Sequence, residues 1–152
     1  MARNSRRRAR EFALQGLYQW QLAKSEPATI AAELAQAQGY DKLDAGYFQL
    51  LLHGVIAAAP ELEAALVPCL DRKFAQLSPV ERAILLIAGY ELAHLAEVPY
   101  RVVINEAVEL AKAYGGTDGY KFVNGVLDKL APQLRPTESR TGRGAVKHGA
   151  EE

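Results

Sequence analysis

With a single cysteine, Cys69, among 152 residues, no internal disulfide framework can staple this chain, and a reducing compartment suits it. Histidine is almost as scarce. His53, His94 and His148 lie far apart, none at ligand spacing with another, and one thiol cannot complete a zinc cage. Neither a metal nor a cofactor is expected. Strand-type alternation is scarce too, which argues against a sheet. The central apolar run, AILLIAG from Ala83, is well short of the about 20 residues a bilayer-spanning helix needs. No apolar segment follows the N-terminal charges as a secretion signal would require, so the cytoplasm is expected and a membrane is not. Net charge is missing as well, with 18 basic residues against 18 acidic ones.

What is present points to helices. The hydrophobic fraction is 49%, ample for one core, and Ala, Leu, Glu and Gln dominate. The chain is organised around SPVERAILLIAGYELAHL from Ser78. Ser78 suits an N-cap, Pro79 the first helical position, and Glu81 stands three residues after the cap, the spacing of a capping box. The seven residues after Arg82 are apolar without interruption, so this helix is expected to be buried nearly all round, at the centre of a helical bundle.

Around it the spacing predicts about seven helices. The first begins near Ser5 and ends before Pro27, with Ala9, Phe12, Ala13, Gly16, Leu17 and Trp20 as its core stripe. A second starts at Pro27 and stops at Gly39. Asp41 or Asp44 caps a third, bearing Tyr47, Phe48, Leu51, Leu52 and Val55. Pro60 restarts the chain as a short fourth helix with Leu62, Leu66 and Val67. After the central helix, Pro99 sets up a sixth with the stripe Val103, Ile104, Ala107, Leu110, Ala111 and Tyr114, ended by Gly115-Gly116. Thr117 or Asp118 caps the last, whose core side is Val123, Val126, Leu127 and Leu130. Pro132 ends the folded domain, residues 1–132. Residues 133–152 have almost nothing to bury and are expected to be a disordered tail.

Charge is distributed unevenly despite its zero sum. The first ten residues hold Arg3, Arg6, Arg7, Arg8 and Arg10 and no acid, whereas the body is acidic. Arginines in the first turns of a helix oppose its macrodipole, so local stability does not explain them and an anionic partner does. Arg3, Arg6, Arg7 and Arg10 share one arc of the helix, and Tyr18 lies two turns on at its edge. Guanidinium groups for phosphates beside an aromatic for an unstacked base suit single-stranded RNA. The ordinary explanation is a solvated, frayed terminus. Phe122 lies at the margin of the last core stripe with Asp118 and Lys129 on the polar side, and plain core packing explains it as well. Catalysis has less support. Cys69 follows Pro68 in an apolar segment, Glu106 and Glu109 read as solvated helix charges, with Lys112 placed to pair with Glu109, and Gly115-Gly116 lacks the strand and Lys-Ser/Thr of a phosphate loop.

Three segments carry a family resemblance: RRRAREFALQGLYQWQL from Arg6, LSPVERAILLIAGYEL from Leu77, and VPYRVVINEAVELAKAYGGTDGYKFVNGVLDKLAP from Val98. Over about residues 5–132 the chain resembles the NusB family of transcription antitermination proteins. The resemblance implies an all-α fold of two packed subdomains without catalytic activity. It implies a factor that binds boxA-type RNA of nascent ribosomal RNA transcripts together with NusE, a ribosomal small-subunit protein, within an RNA polymerase antitermination complex. Carried over by position, Arg6, Arg7 and Arg10 would contact phosphates, Tyr18, Asp118 and Phe122 would face the RNA, and Glu81 would lie near the NusE contact. The competing reading is a protein-interaction bundle without specific RNA binding, and a small helical enzyme is the third.

Overall fold

The computed structural model describes the backbone of residues 2–138 and the side chains of residues 4–138. Six α-helices carry the fold: α1 (Ala2–Ala23), α2 (Pro27–Leu34), α3 (Ala45–Leu66), α4 (Pro79–His94), α5 (Tyr100–Tyr114) and α6 (Gly119–Leu134). Three short 3-10 turns join them, a further helical turn spans 136–138, and no strand occurs among the described residues. The all-α class read from composition and periodicity is therefore what the chain adopts. Helices α1–α3 form one group and α4–α6 the other, over one continuous core.

Helix α4 joins the two groups because its sequence leaves no face for water. The Ser78 Oγ accepts from the Glu81 N–H at 3.1 Å and the Glu81 carboxylate accepts from the Ser78 N–H at 3.3 Å, closing the capping box. Every residue from Ala83 to Gly89 is then buried, against α3 on one side and α5 on the other, with α1 and α6 completing the cage. Gly54 on α3 lets the two helices approach: a Cβ there would collide with the Tyr90 ring of α4. The stripe expected on α1 is likewise in the core, with Ala9, Ala13 and Leu17 fully buried.

Four local expectations are corrected. Pro60 does not restart the chain; it stands inside the single 22-residue helix α3. Pro60 itself is exposed, while Val55 before it and Leu62 and Leu66 after it are buried, so packing on both sides offsets the about 3 kcal/mol that proline costs a helix interior. Val67, grouped with them from sequence, is 48% exposed in a 3-10 turn. Helix α2 stops at Leu34 rather than Gly39; Gly39, at φ 93°, instead makes the left-handed turn into the next 3-10 segment. By length and composition Ala45–Cys69 could also span a membrane; in this fold its Phe48, Leu51, Leu52 and Val55 are buried in the core.

The fourth correction concerns the C-terminal boundary. Helix α6 runs through Pro132 to Leu134, and Arg135 is buried. Its Nε donates to Leu92 O at 2.7 Å and its Nη2 to Glu91 O and Leu95 O, both at 3.0 Å. These carbonyls end α4 and have few partners within their own helix. Glu138 receives a hydrogen bond from Arg135 and another from the Tyr100 N–H at 2.8 Å, so it also caps the start of α5. Residues 133–138 thus dock on the body; the rest of the expected tail, 139–152, lies outside the described residues. Arg135→Ala should lower the unfolding free energy by about 1–3 kcal/mol, the cost of leaving buried acceptors unpaired. Urea denaturation reads this, and an unchanged midpoint would mean that the contact is idle.

Candidate nucleic-acid interface

Helix α1 distributes its arginines among different neighbours, because successive residues turn about 100° around the axis. Arg6 points toward α3, where its guanidinium lies 4.2 Å from the Tyr47 ring centroid and 3.9 Å from Asp44. Asp44 also caps α3 by accepting from the Tyr47 N–H at 3.0 Å. Arg7 points toward α5 and grips Glu106 with two bonds, Nε to Oε1 at 3.0 Å and Nη2 to Oε2 at 2.9 Å. Those hydrogen bonds and the Glu106 charge hold the Arg7 pKa above its ordinary value. Arg8 is exposed and has no ion pair among the described residues.

Arg10 departs from the phosphate-contact expectation. It is 4% exposed, and its Nε donates to both oxygens of Glu91 on α4, at 3.2 and 3.0 Å. Glu91 is buried too and takes a short hydrogen bond from the Tyr47 hydroxyl. Burial alone would lower the Arg10 pKa, but the Glu91 charge and hydrogen bonds hold it above the ordinary value. Burial, then Glu91, pushes the Tyr47 phenol far up. With its donors committed inside the protein, Arg10 anchors α1 to α4 and has no surface to offer a phosphate. Glu106, read from sequence as a solvated charge, is also buried, between Arg7 and Arg10. Glu109 and Lys112 do remain at the surface, 3.8 Å apart.

Between α1 and α5 runs a furrow. Arg7, Val102, Asn105, Glu106 and Glu109 line one end; Arg7, Glu11, Glu106, Glu109, Leu110 and Ala113 line the next part. Beyond Glu11 it opens into a groove of about 410 Å³ walled by Phe12, Leu14, Gln15, Tyr18, Val80 and Tyr114. Tyr18 is 42% exposed and Tyr114 51%, so two aromatic faces meet solvent here. Tyr114 was expected in the core stripe of α5; at the last residue of that helix it reaches the groove instead. Its phenol is pushed up by burial and by Glu11, with Arg8 pulling the other way, so Arg8 is near enough to act on it.

The other sequence candidates continue from this end. Val80 of the groove precedes Glu81, whose Oε2 lies 3.5 Å from where a Cβ on Gly119 would stand. The start of α6 is thereby placed next to the start of α4. Asp118 is exposed there, makes no side-chain cap bond, and pairs with Lys121 at 3.5 Å. Phe122, one turn on, packs its half-buried ring against the core edge and carries the Arg72 guanidinium 4.4 Å above it. Arg72 is itself held by Asp71 at 2.7 Å. The chain thus gathers Tyr18, Glu81, Asp118 and Phe122 toward one end, Arg6 and Arg7 further along α1, and Arg10 inside. Arg8 and Tyr114 were not singled out from sequence, and each carried a misleading signal: Arg8 falls outside the shared arginine arc, and Tyr114 falls on the core stripe.

Known proteins resemble this chain in sequence and in fold. Residues 7–132 match the model of the NusB family. The transcription antitermination protein NusB of Burkholderia mallei is 59% identical over 145 residues, which are 95% of this chain and 100% of that protein. Among solved structures, T. maritima NusB superposes with a TM-score of 0.79 at 28% identity, over 89% of this chain and 96% of that one. A structure of antitermination factors NusB and NusE in complex with double-stranded RNA aligns with a TM-score of 0.76 at 26% identity, over 86% of this chain and 98% of that one.

Proposed function

Since this chain belongs to the NusB family, we propose that it is a transcription antitermination factor that binds boxA-type RNA together with a NusE-type ribosomal protein. It works by binding rather than catalysis, in the cytoplasm, as part of an RNA polymerase antitermination complex on ribosomal RNA transcripts. The observation that carries the reading is the groove at the end of the α1–α5 furrow, with exposed Tyr18 and Tyr114 as its walls and exposed Arg8 on the same helix as Tyr18; Asp118 begins α6 beside Glu81, the neighbour of the groove's Val80, and Arg6 lies on the α3 side of α1. That arrangement offers stacking faces for unpaired bases and cations for the backbone that links them. Glu81, at the start of α4 next to Val80 of the groove, would face the protein partner, as the family resemblance implies. The homologous complex with NusE and RNA supports the same pairing of partners.

The test is RNA affinity at several salt concentrations, using single-stranded boxA-type RNA, a scrambled strand and a duplex. Tyr18→Ala should cost about 1–3 kcal/mol with little change in salt slope, since it removes stacking rather than charge. Phe122→Ala, with a melting control for its share of the core, should behave alike. The double variant Arg6→Ala/Arg8→Ala should weaken every RNA and flatten the slope of log K against log salt by about 1.4, two phosphates at 0.7 each. Equal affinity for boxA-type and scrambled RNA, with and without NusE, would move the interaction-bundle reading ahead.

A further inference from the structure

The furrow beside Arg7 has the wrong sign for a phosphate. Glu11, Glu106 and Glu109 all act on the Arg7 guanidinium, so one cation faces three carboxylates. Glu106 does more than sit nearby. It occupies the Nε and Nη2 edge with paired bonds, one of the two edges by which a guanidinium grips a phosphate bidentately. Glu106 is 11% exposed in its side chain and is steadied from behind by Arg10, whose Nη1 is 3.8 Å from Oε1, while Arg7 remains 45% exposed. The cation is therefore at the surface and its counter-charge beneath it.

We propose that Glu106 is a positioning residue that holds Arg7 back from phosphate binding, by filling one guanidinium edge and offsetting the charge that the remaining edge would offer an RNA phosphodiester. This deepens the RNA-binding reading and rests on it. The arm then binds RNA more weakly, and with less salt dependence, than its number of arginines implies. Base contacts at the aromatic end gain weight relative to charge, and Glu106 thereby favours sequence discrimination over general affinity for polyanions.

The experiment uses the full chain with single-stranded boxA-type RNA and a scrambled strand of equal length, titrated across salt. Glu106→Gln keeps the size and one acceptor but removes the charge. It should bind both strands about three- to tenfold more tightly at low salt and steepen the slope by about 0.7, one added phosphate. The gain should vanish in Glu106→Gln/Arg7→Ala. Arg7→Ala alone, at a half-exposed position that opens no core, should change the slope by less than half that amount. Unchanged or weaker binding by folded Glu106→Gln overturns the proposal. So does a full loss of about 0.7 in slope from Arg7→Ala alone, which would mean that Arg7 already contacts RNA. If Glu106→Gln gains equally on both strands while the parent protein shows no preference between them, the restraint holds and the boxA reading fails. If no version binds either strand, both fall together.

Discussion

Arg10→Ala should destabilise the protein by about 3–5 kcal/mol, as removal of one member of a buried ion pair does. Glu91, 1% exposed, would keep the Tyr47 hydroxyl but lose both bonds from Arg10, leaving a carboxylate in the core without its cation. A second cation is not free to replace it, because Arg6 and Arg7 face Asp44 and Glu106. The double variant Arg10→Met/Glu91→Leu removes both charges and should recover most of that loss, since apolar replacement of a buried pair is often neutral or better. Urea denaturation of the two variants separates the cases. If Arg10→Ala melts like the parent protein but loses RNA, then Arg10 reaches the ligand and its internal pairing is incidental.

Ile87→Asp should abolish cooperative folding. Ile87 is 2% exposed in the middle of α4, with α3 and α5 on either side. Deleting its packing costs about 2–5 kcal/mol, and burying a carboxyl group without a partner costs about 2–7 kcal/mol more. Together these approach the whole stability of an ordinary domain, about 5–15 kcal/mol. Ile87→Val, which trims one methylene, should cost only about 0.5–1.5 kcal/mol. A cooperative thermal transition in the Asp variant would show that α4 does not hold the two helix groups together.

The parts of this molecule that were legible in its sequence are those governed by neighbours three or four residues apart. Ser78 and Glu81 form their capping box from local geometry alone, and Val103, Ile104, Ala107, Leu110 and Ala111 reach the core because helical period puts them on one face. What was not legible depends on partners distant in the chain. Arg10 and Glu91 are separated by 81 residues and Arg7 and Glu106 by 99, so periodicity could place the arginines on an arc but not say what faced them. One clue existed: an acid at position 91, following the apolar run of α4, needs a cation to be buried. At Pro60 a sound local rule was overruled by packing on both sides. At Tyr114 the stripe continued past the point where a neighbouring helix covers it. Of the candidate surface, Tyr18 stood out by its exposed arc, whereas the second tyrosine wall required the fold.

The Arg135 clamp has a bearing on how the chain is made. The carbonyls of Glu91, Leu92 and Leu95 are completed by a side chain that lies 40 residues beyond Leu95. At about 5–20 residues per second of synthesis, that interval is about 2–8 s. During it, α4 leaves the ribosome with its last turn open to water, and α5 starts without the Glu138 carboxylate that will hold the Tyr100 N–H. The N-terminal helix group can assemble early, but the turn between α4 and α5 closes only when residues 135–138 have emerged. A product terminated before residue 135 would therefore carry an open turn beside the core helix, its last carbonyls left to water.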